Sequence, residues 1–297
     1  MFRTYFFALI LALTLLVSCT AAEESYKTAD FYAANAMDKL VTSPGECFVS
    51  TVTLTYAEGS SLEYTYVAGL DENGEKFFVF EDQHGFVEIM EGGRSYGFDS
   101  ESGQYYMRAY LDDTYDAEME QFWNSYPLSF YGDTSQDDNY ITSIERLGEK
   151  LRVIYDFPNV IEGENETKNT LVDFTLHADT LILDKITTVF VAADGQTVKT
   201  SEATYVKTKN YQIDSRFAVL FTGDAMRTVT FVEYPGTAEE VTCVYTLPRN
   251  ARLYMSIAEG LAIYTDAACT EAFLGATMDE NGLFPEEQTL YVAAAKE

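Results

Sequence analysis

Leu62-Glu63-Tyr64-Thr65-Tyr66-Val67-Ala68-Gly69-Leu70, then Asp71-Glu72-Asn73-Gly74-Glu75, then Lys76-Phe77-Phe78-Val79-Phe80-Glu81, reads as a β-hairpin. Two runs rich in aromatic and β-branched residues flank an Asn-Gly pair. Asn-Gly accepts the positive φ that a type I′ turn needs at both central positions, and the twist of that turn matches the twist of the strands it joins. Strands joined so tightly must pair antiparallel, because a parallel crossover takes a dozen residues or more.

Outward from this hairpin the period of two persists. Phe48, Val52, Leu54 and Tyr56 precede it; runs at 86–91, 94–99 and 104–110 follow it, separated at His84-Gly85, Gly92-Gly93 and Ser102-Gly103. Strands resume at 141–147, 150–157, 170–177, 181–192 and 197–207, with Asp194-Gly195 closing a hairpin and 160–167 reading as an exposed acidic loop. The interruption at 116–126 is rich in Glu, Met and Gln and places Met119, Phe122, Trp123 and Tyr126 on one face of a short helix that ends at Pro127. At the start, Phe31, Ala34, Met37, Leu40 and Val41 fall at helical spacing over 29–41, with Thr28 as cap and Ser43-Pro44-Gly45 as stop. The pattern predicts a mainly β fold with a few helices: a curved antiparallel sheet forming an open barrel.

The pattern pauses at 221–227. Beyond it, shorter strands at 229–234, 240–247, 253–255, 262–264 and 289–293 make a small strand-rich module. The expected organisation is a leader at 1–18, a tether at 19–27, an antiparallel domain at 28–220 and a small module at 228–297.

Charge narrows the partners. The chain carries 19 basic and 48 acidic residues, a net charge of −29. Phosphate backbones are bound by clustered Lys and Arg, and no basic run occurs, so nucleic acid is excluded. The charge serves solubility in an extracytoplasmic setting. An apolar content of 47% is globular, and 22 Tyr and 20 Phe against one Trp favour strands with packed aromatic faces.

The first residues supply an address. An apolar run from Phe6 to Val17 ends in Leu16-Val17-Ser18-Cys19, which resembles the lipoprotein box of bacterial secretory signals. The run is too short for a membrane span. The resemblance implies that Cys19 becomes the N-terminus and receives a diacylglyceryl group, whose two acyl chains hold the protein on the outer face of the bacterial cell membrane. Among the remaining cysteines, Cys47, Cys243 and Cys269, no metal spacing occurs; Cys243 and Cys269 are either two buried thiols or a pair.

Two further resemblances bear on fold. Residues 26–217 resemble the LolA-like lipoprotein-carrier and lipid-binding family in their order of elements. The local match runs from Val172-Asp173-Phe174-Thr175-Leu176 through Leu183-Asp184-Lys185-Ile186 to Ala193-Asp194-Gly195-Gln196 and Tyr211-Gln212-Ile213-Asp214. It implies an open barrel that shelters a lipid. The C-terminal Ile263-Tyr264-Thr265-Asp266-Ala267-Ala268-Cys269-Thr270-Glu271 and Thr289-Leu290-Tyr291-Val292-Ala293 resemble a Listeria-Bacteroides surface repeat, a small β-grasp-like unit, although Gly260-Leu261 stands where that family has Gly-Trp. That likeness implies an interaction module.

No catalytic constellation accompanies these features. His84 and His177 share no ligand spacing, and no GxSxG, SxxK, P-loop or GxGxxG occurs. Asp71-Glu72-Asn73-Gly74 and Asp279-Glu280-Asn281-Gly282 read as hairpin turns, with weak calcium binding as the other reading. No cofactor is expected. The sequence therefore predicts a non-catalytic, lipid-anchored protein that binds a lipid or other hydrophobic envelope component, with Phe122, Trp123 and Tyr126 as candidate ligand-lining residues. The alternative is a surface protein that captures a protein or glycan through its C-terminal module.

Overall fold

The computed structural model describes residues 26–126, 138–158, 167–192, 194–212, 215–220, 225–280 and 282–295. The leader, Cys19, the tether up to residue 25, Pro127 and residues 160–166 of the acidic loop lie outside the described residues. The helices are α1 (Thr28–Ala34), α2 (Met37–Leu40) and α3 (Thr114–Ser125). The strands are β1 (Glu46–Tyr56), β2 (Ser61–Leu70), β3 (Lys76–Asp82), β4 (Val87–Glu91), β5 (Arg94–Asp99), β6 (Gln104–Tyr110), β7 (Ile141–Leu147) and β8 (Lys150–Pro158). After them come β9 (Thr167–His177), β10 (Leu183–Ala192), β11 (Thr197–Lys209), β12 (Met226–Glu233), β13 (Val241–Pro248), β14 (Arg252–Ser256), β15 (Leu261–Tyr264) and β16 (Glu287–Ala294).

Twelve strands are hydrogen-bonded in the order β14-β6-β5-β4-β3-β2-β1-β11-β10-β9-β8-β7, an order with two edges that does not close on itself. The other four lie in the order β13-β12-β16-β15. Strands β2 to β6 and β7 to β11 pair antiparallel with their chain neighbours, as the tight turns require. The protein is mainly β, with a large antiparallel sheet that stays open, which is the expected class. Among the described residues two pairings are parallel, β14 with β6 and β12 with β16; neither is visible in local sequence.

The chain divides into two compact units, one holding the chain up to Thr42, Phe48–Glu63 and Ser125–Lys207, the other Ser43–Cys47, Tyr64–Asn124 and Thr208–Glu297. This division differs from the expected boundary at 220–228. The C-terminal residues belong with the first meander because β14 lies parallel to β6, in register from Arg252 with Tyr106 to Ser256 with Tyr110.

In the first unit the single helix expected at 29–41 is broken at Asn35. Its amide is engaged elsewhere: Nδ2 donates to the carbonyls of Phe31 and Leu181, 2.9 Å each, and Oδ1 accepts the Leu183 N–H at 2.9 Å. Thr28 is not the cap. Lys27 holds that position, and Thr28 instead donates its backbone N–H (3.0 Å) and its hydroxyl to the Asp138 carboxylate. A seven-residue helix is too short to stand alone; α1 is held by Phe31, fully buried with its ring 5.0 Å from that of Phe174. Beside it, the Tyr26 and Tyr155 hydroxyls lie 2.6 Å apart, and burial pushes both upward in pKa, so they remain protonated donors.

Aspartates organise the turns. Asp71 accepts the N–H groups of Asn73 (2.8 Å) and Glu75 (2.7 Å), Asp82 those of His84 and Phe86 (2.9 Å each), and Asp266 those of Thr270 (2.8 Å) and Glu271 (2.7 Å). Such side-chain turns explain why Asp flanks hairpin tips. The Glu271 N–H, above all, holds the Asp266 carboxyl below the usual carboxylate range. That turn keeps its contribution above the ordinary carboxylate pKa and loses it as pH falls through the lower folded value. Few basic groups balance the rest of the acidic surface, so screening is expected to stabilise the fold. Raising ionic strength from about 0.01 M to about 0.15 M, which shortens the screening length from about 30 to about 8 Å, should raise Tm in a thermal melt; an unchanged or lower Tm would show that ion pairs outweigh repulsion.

Candidate functional site

The three aromatics expected to line a ligand site are placed mostly in the core. Trp123 is 3% and Tyr126 2% exposed. Lys76 Nζ sits 4.9 Å above the Trp123 ring, and the Tyr126 hydroxyl donates to the Phe48 carbonyl at 2.9 Å. Phe122 is half-buried, stacked on Phe78 at 5.0 Å beside a cluster of Met90, Tyr110 and Met119. Each has a packing role that needs no ligand. His84 and His177 are both exposed, and among the described residues no three His, Cys, Asp or Glu side chains converge as a metal site. Cys243 and Cys269 are free thiols, and Cys243 is pushed up to about 11 by burial and by the Glu233 carboxylate 3.4 Å away.

A cleft of about 340 Å³ lies among the C-terminal strands of the second unit. Its wall is formed by Arg227 of β12, Arg252, Leu253, Tyr254 and Met255 of β14, Gln288 and Leu290 of β16, and Phe273, Gly275, Ala276, Met278 and Phe284 of the segment between β15 and β16. Each part is held in place by identifiable bonds. Strand β12 alternates, burying Arg227, Val229, Phe231 and Glu233 on one face, and β16 runs parallel to it with Leu290 opposite Phe231. The connecting segment is pinned at both ends: Phe273 N–H donates to Ile263 O at 2.8 Å, and Phe284 and Arg249 exchange two bonds of 2.8 Å. Gly275 makes the bend, at φ +120, a conformation open to glycine and strained for other residues. Next to the cleft stand Leu274, 96% exposed, and the rims of Tyr254 and Met278, 41% and 38% exposed.

Most of this wall is apolar, and its charged members are both arginines, in a chain where acidic residues outnumber basic ones by more than two to one. Arg227 is 2% exposed. Its Nη2 donates to the Ala251 carbonyl at 2.9 Å and its guanidinium lies 4.1 Å from the Phe284 ring, while Nε has no partner. Burial lowers it to about 10, which leaves it cationic at neutral pH. The sequence reading began the strand at 229 and so missed it. The signal was present: carrying the alternation of Val229 and Phe231 two residues back places an arginine on the core-facing row.

No protein-family model matches this chain, and no curated protein does. Solved structures that are similar include MucB in its complex with MucA from Pseudomonas aeruginosa, at 13% identity and a TM-score of 0.34, covering 73% of this chain and 75% of that one. A LolA superfamily protein from Nitrosomonas europaea is 9% identical, with a TM-score of 0.24 over 65% of this chain and 97% of its own. A putative outer membrane lipoprotein-sorting protein domain from Vibrio parahaemolyticus is 8% identical, with a TM-score of 0.27 over 63% and 94%. All three scores lie below 0.5.

Proposed function

We propose that the protein is a non-catalytic binder of a small hydrophobic envelope component, anchored by lipid at Cys19 to the outer face of a bacterial membrane. The observation that carries the binding reading is the cleft: about 340 Å³ walled by Leu253, Met255, Phe273, Met278, Phe284 and Leu290, within the range of small-molecule pockets. The anchor is supported by the sequence around Ser18-Cys19 alone, and mass spectrometry of the membrane-extracted protein should find acyl chains on Cys19; an unmodified N-terminus there would end that part of the proposal.

Two measurements test binding. The environment-sensitive dye N-phenyl-1-naphthylamine should brighten on titration and saturate. Ala276→Trp, which puts an indole into the half-buried wall, should weaken the dye by about tenfold or more while leaving the circular dichroism and Tm near those of the parent. A dye response untouched by Ala276→Trp would move the site elsewhere.

A second reading, capture of a surface protein or glycan, is favoured by Val241 and Val244, 53% and 59% exposed on the edge strand β13. An exposed edge offers unpaired backbone groups to an added strand. Partner capture would then survive Ala276→Trp and fail in Val244→Lys.

A further inference from the structure

The buried arginine specifies what such a ligand carries at its end. Buried charges in proteins are paired or bind a counter-ion, because a lone charge in a low-dielectric setting loses hydration without compensation. Among the described residues Arg227 has no carboxylate partner; its contacts are a backbone carbonyl and the face of Phe284. The carboxylate on its own strand row, Glu233, stands six residues away, roughly 20 Å along an extended strand, and accepts the Asp112 N–H at 2.6 Å. Two carboxylates of the connecting segment, Asp279 and Glu286, are held by another cation, 3.6 and 3.0 Å from Arg249, and Asp266 is engaged by the N–H groups of its own turn. Arg252, the second arginine of the wall, is exposed and donates Nε to Gln104 at 2.8 Å, and no acidic side chain lines the cleft beside the two arginines.

We infer that the cleft binds a linear amphiphile with a single anionic head, the head on the Arg227 guanidinium and the alkyl chain along Leu253, Met255, Phe273 and Met278. This rests on the cleft being the binding site. The unpartnered Nε–H is one prong of the guanidinium fork, and a planar carboxylate takes such a fork with two parallel bonds. Size sets the chain: about 340 Å³ holds roughly eleven atoms of the size of water, at about 30 Å³ each, which suits an eight-carbon carboxylate. Charge complementarity is local. The acidic body repels anions at long range, so a cationic, carboxylate-free wall selects for an anion only in close contact.

Titration calorimetry of the full-length protein with four octyl ligands tests this. Octanoate is expected to bind about tenfold or more tighter than octanol and octyltrimethylammonium, and at least as tightly as octyl phosphate. Arg227→Met keeps the stem and removes the head contact, so octanoate should fall to the level of octanol; Arg227→Lys, which keeps charge but not the fork, should fall between. Should the Met variant fail to fold, the ligand series on the parent protein decides. Equal binding of octanoate and octanol with an intact dye response would overturn the anionic head and leave the cleft reading standing. A tenfold preference for octyl phosphate would overturn the carboxylate. Failure of all four ligands together with the naphthylamine dye would overturn the cleft itself.

Discussion

Gly97→Ala is expected to lower the unfolding free energy by about 3 kcal/mol or more, read from the midpoint of a urea transition. Gly97 lies inside β5 opposite Glu88. A Cβ there would meet the Val87 carbonyl oxygen at 1.9 Å, its carbon at 2.9 Å and the Tyr106 hydroxyl at 2.8 Å. The obstacle is backbone. Val87 pairs with Phe98 and Ile89 with Tyr96, so that carbonyl moves only if β4 and β5 slip or part. Slipping one residue would turn the buried Val87, Ile89 and Tyr96 to the opposite face. Gly103 supplies the control: nothing lies within 4 Å of its Cβ position, and its cost is its φ of +66 alone, about 1–2 kcal/mol. If the two alanine variants lose equal stability, the close approach at Gly97 is not what the residue is for.

Trp123→Ala is expected to cost about 3–5 kcal/mol, the usual range for emptying a large buried aromatic site, while the native protein still binds the naphthylamine dye with parental affinity. The sequence offered Trp123 as a ligand-lining residue, and the structure buries it to 3% exposure beneath the Lys76 ammonium. A packed core side chain reports on stability; a ligand-lining one reports on affinity. Loss of dye binding in a variant with an unchanged urea midpoint would restore the ligand-lining reading of Trp123.

Some elements could be read from the chain because they are local. The hairpin between β2 and β3 was legible, and its strands fall within a residue or two of the expected bounds, since period-two alternation and turn residues act over a few positions. Its turn is not the expected type I′: only Gly74 takes a positive φ (+85), and the Gly74 N–H closes onto the Asp71 carbonyl at 3.1 Å, with Glu72 and Asn73 as the central residues. Helix α3 was legible from Met119 and Trp123 at helical spacing, both buried. The break at Asn35 was not, because its cause is the Leu181 and Leu183 backbone, 146 and 148 residues away. Arg227 was half legible: its phase is in the sequence, but its lack of a carboxylate partner depends on which side chains the fold brings near.

The sequence by itself determined a mainly β chain of antiparallel hairpins, its acidic surface and its lipoprotein-like start, because turn chemistry, alternation and net charge are properties of neighbouring residues or of simple counts. The tertiary structure alone decided that residues after 208 join the β2–β6 meander, that β12 and β16 run parallel, and that an apolar cleft with a buried cation opens among them. Parallel pairing brings together segments roughly 60 residues apart with no tight turn to announce it. A cavity, likewise, is the space left between side chains that only the finished packing places.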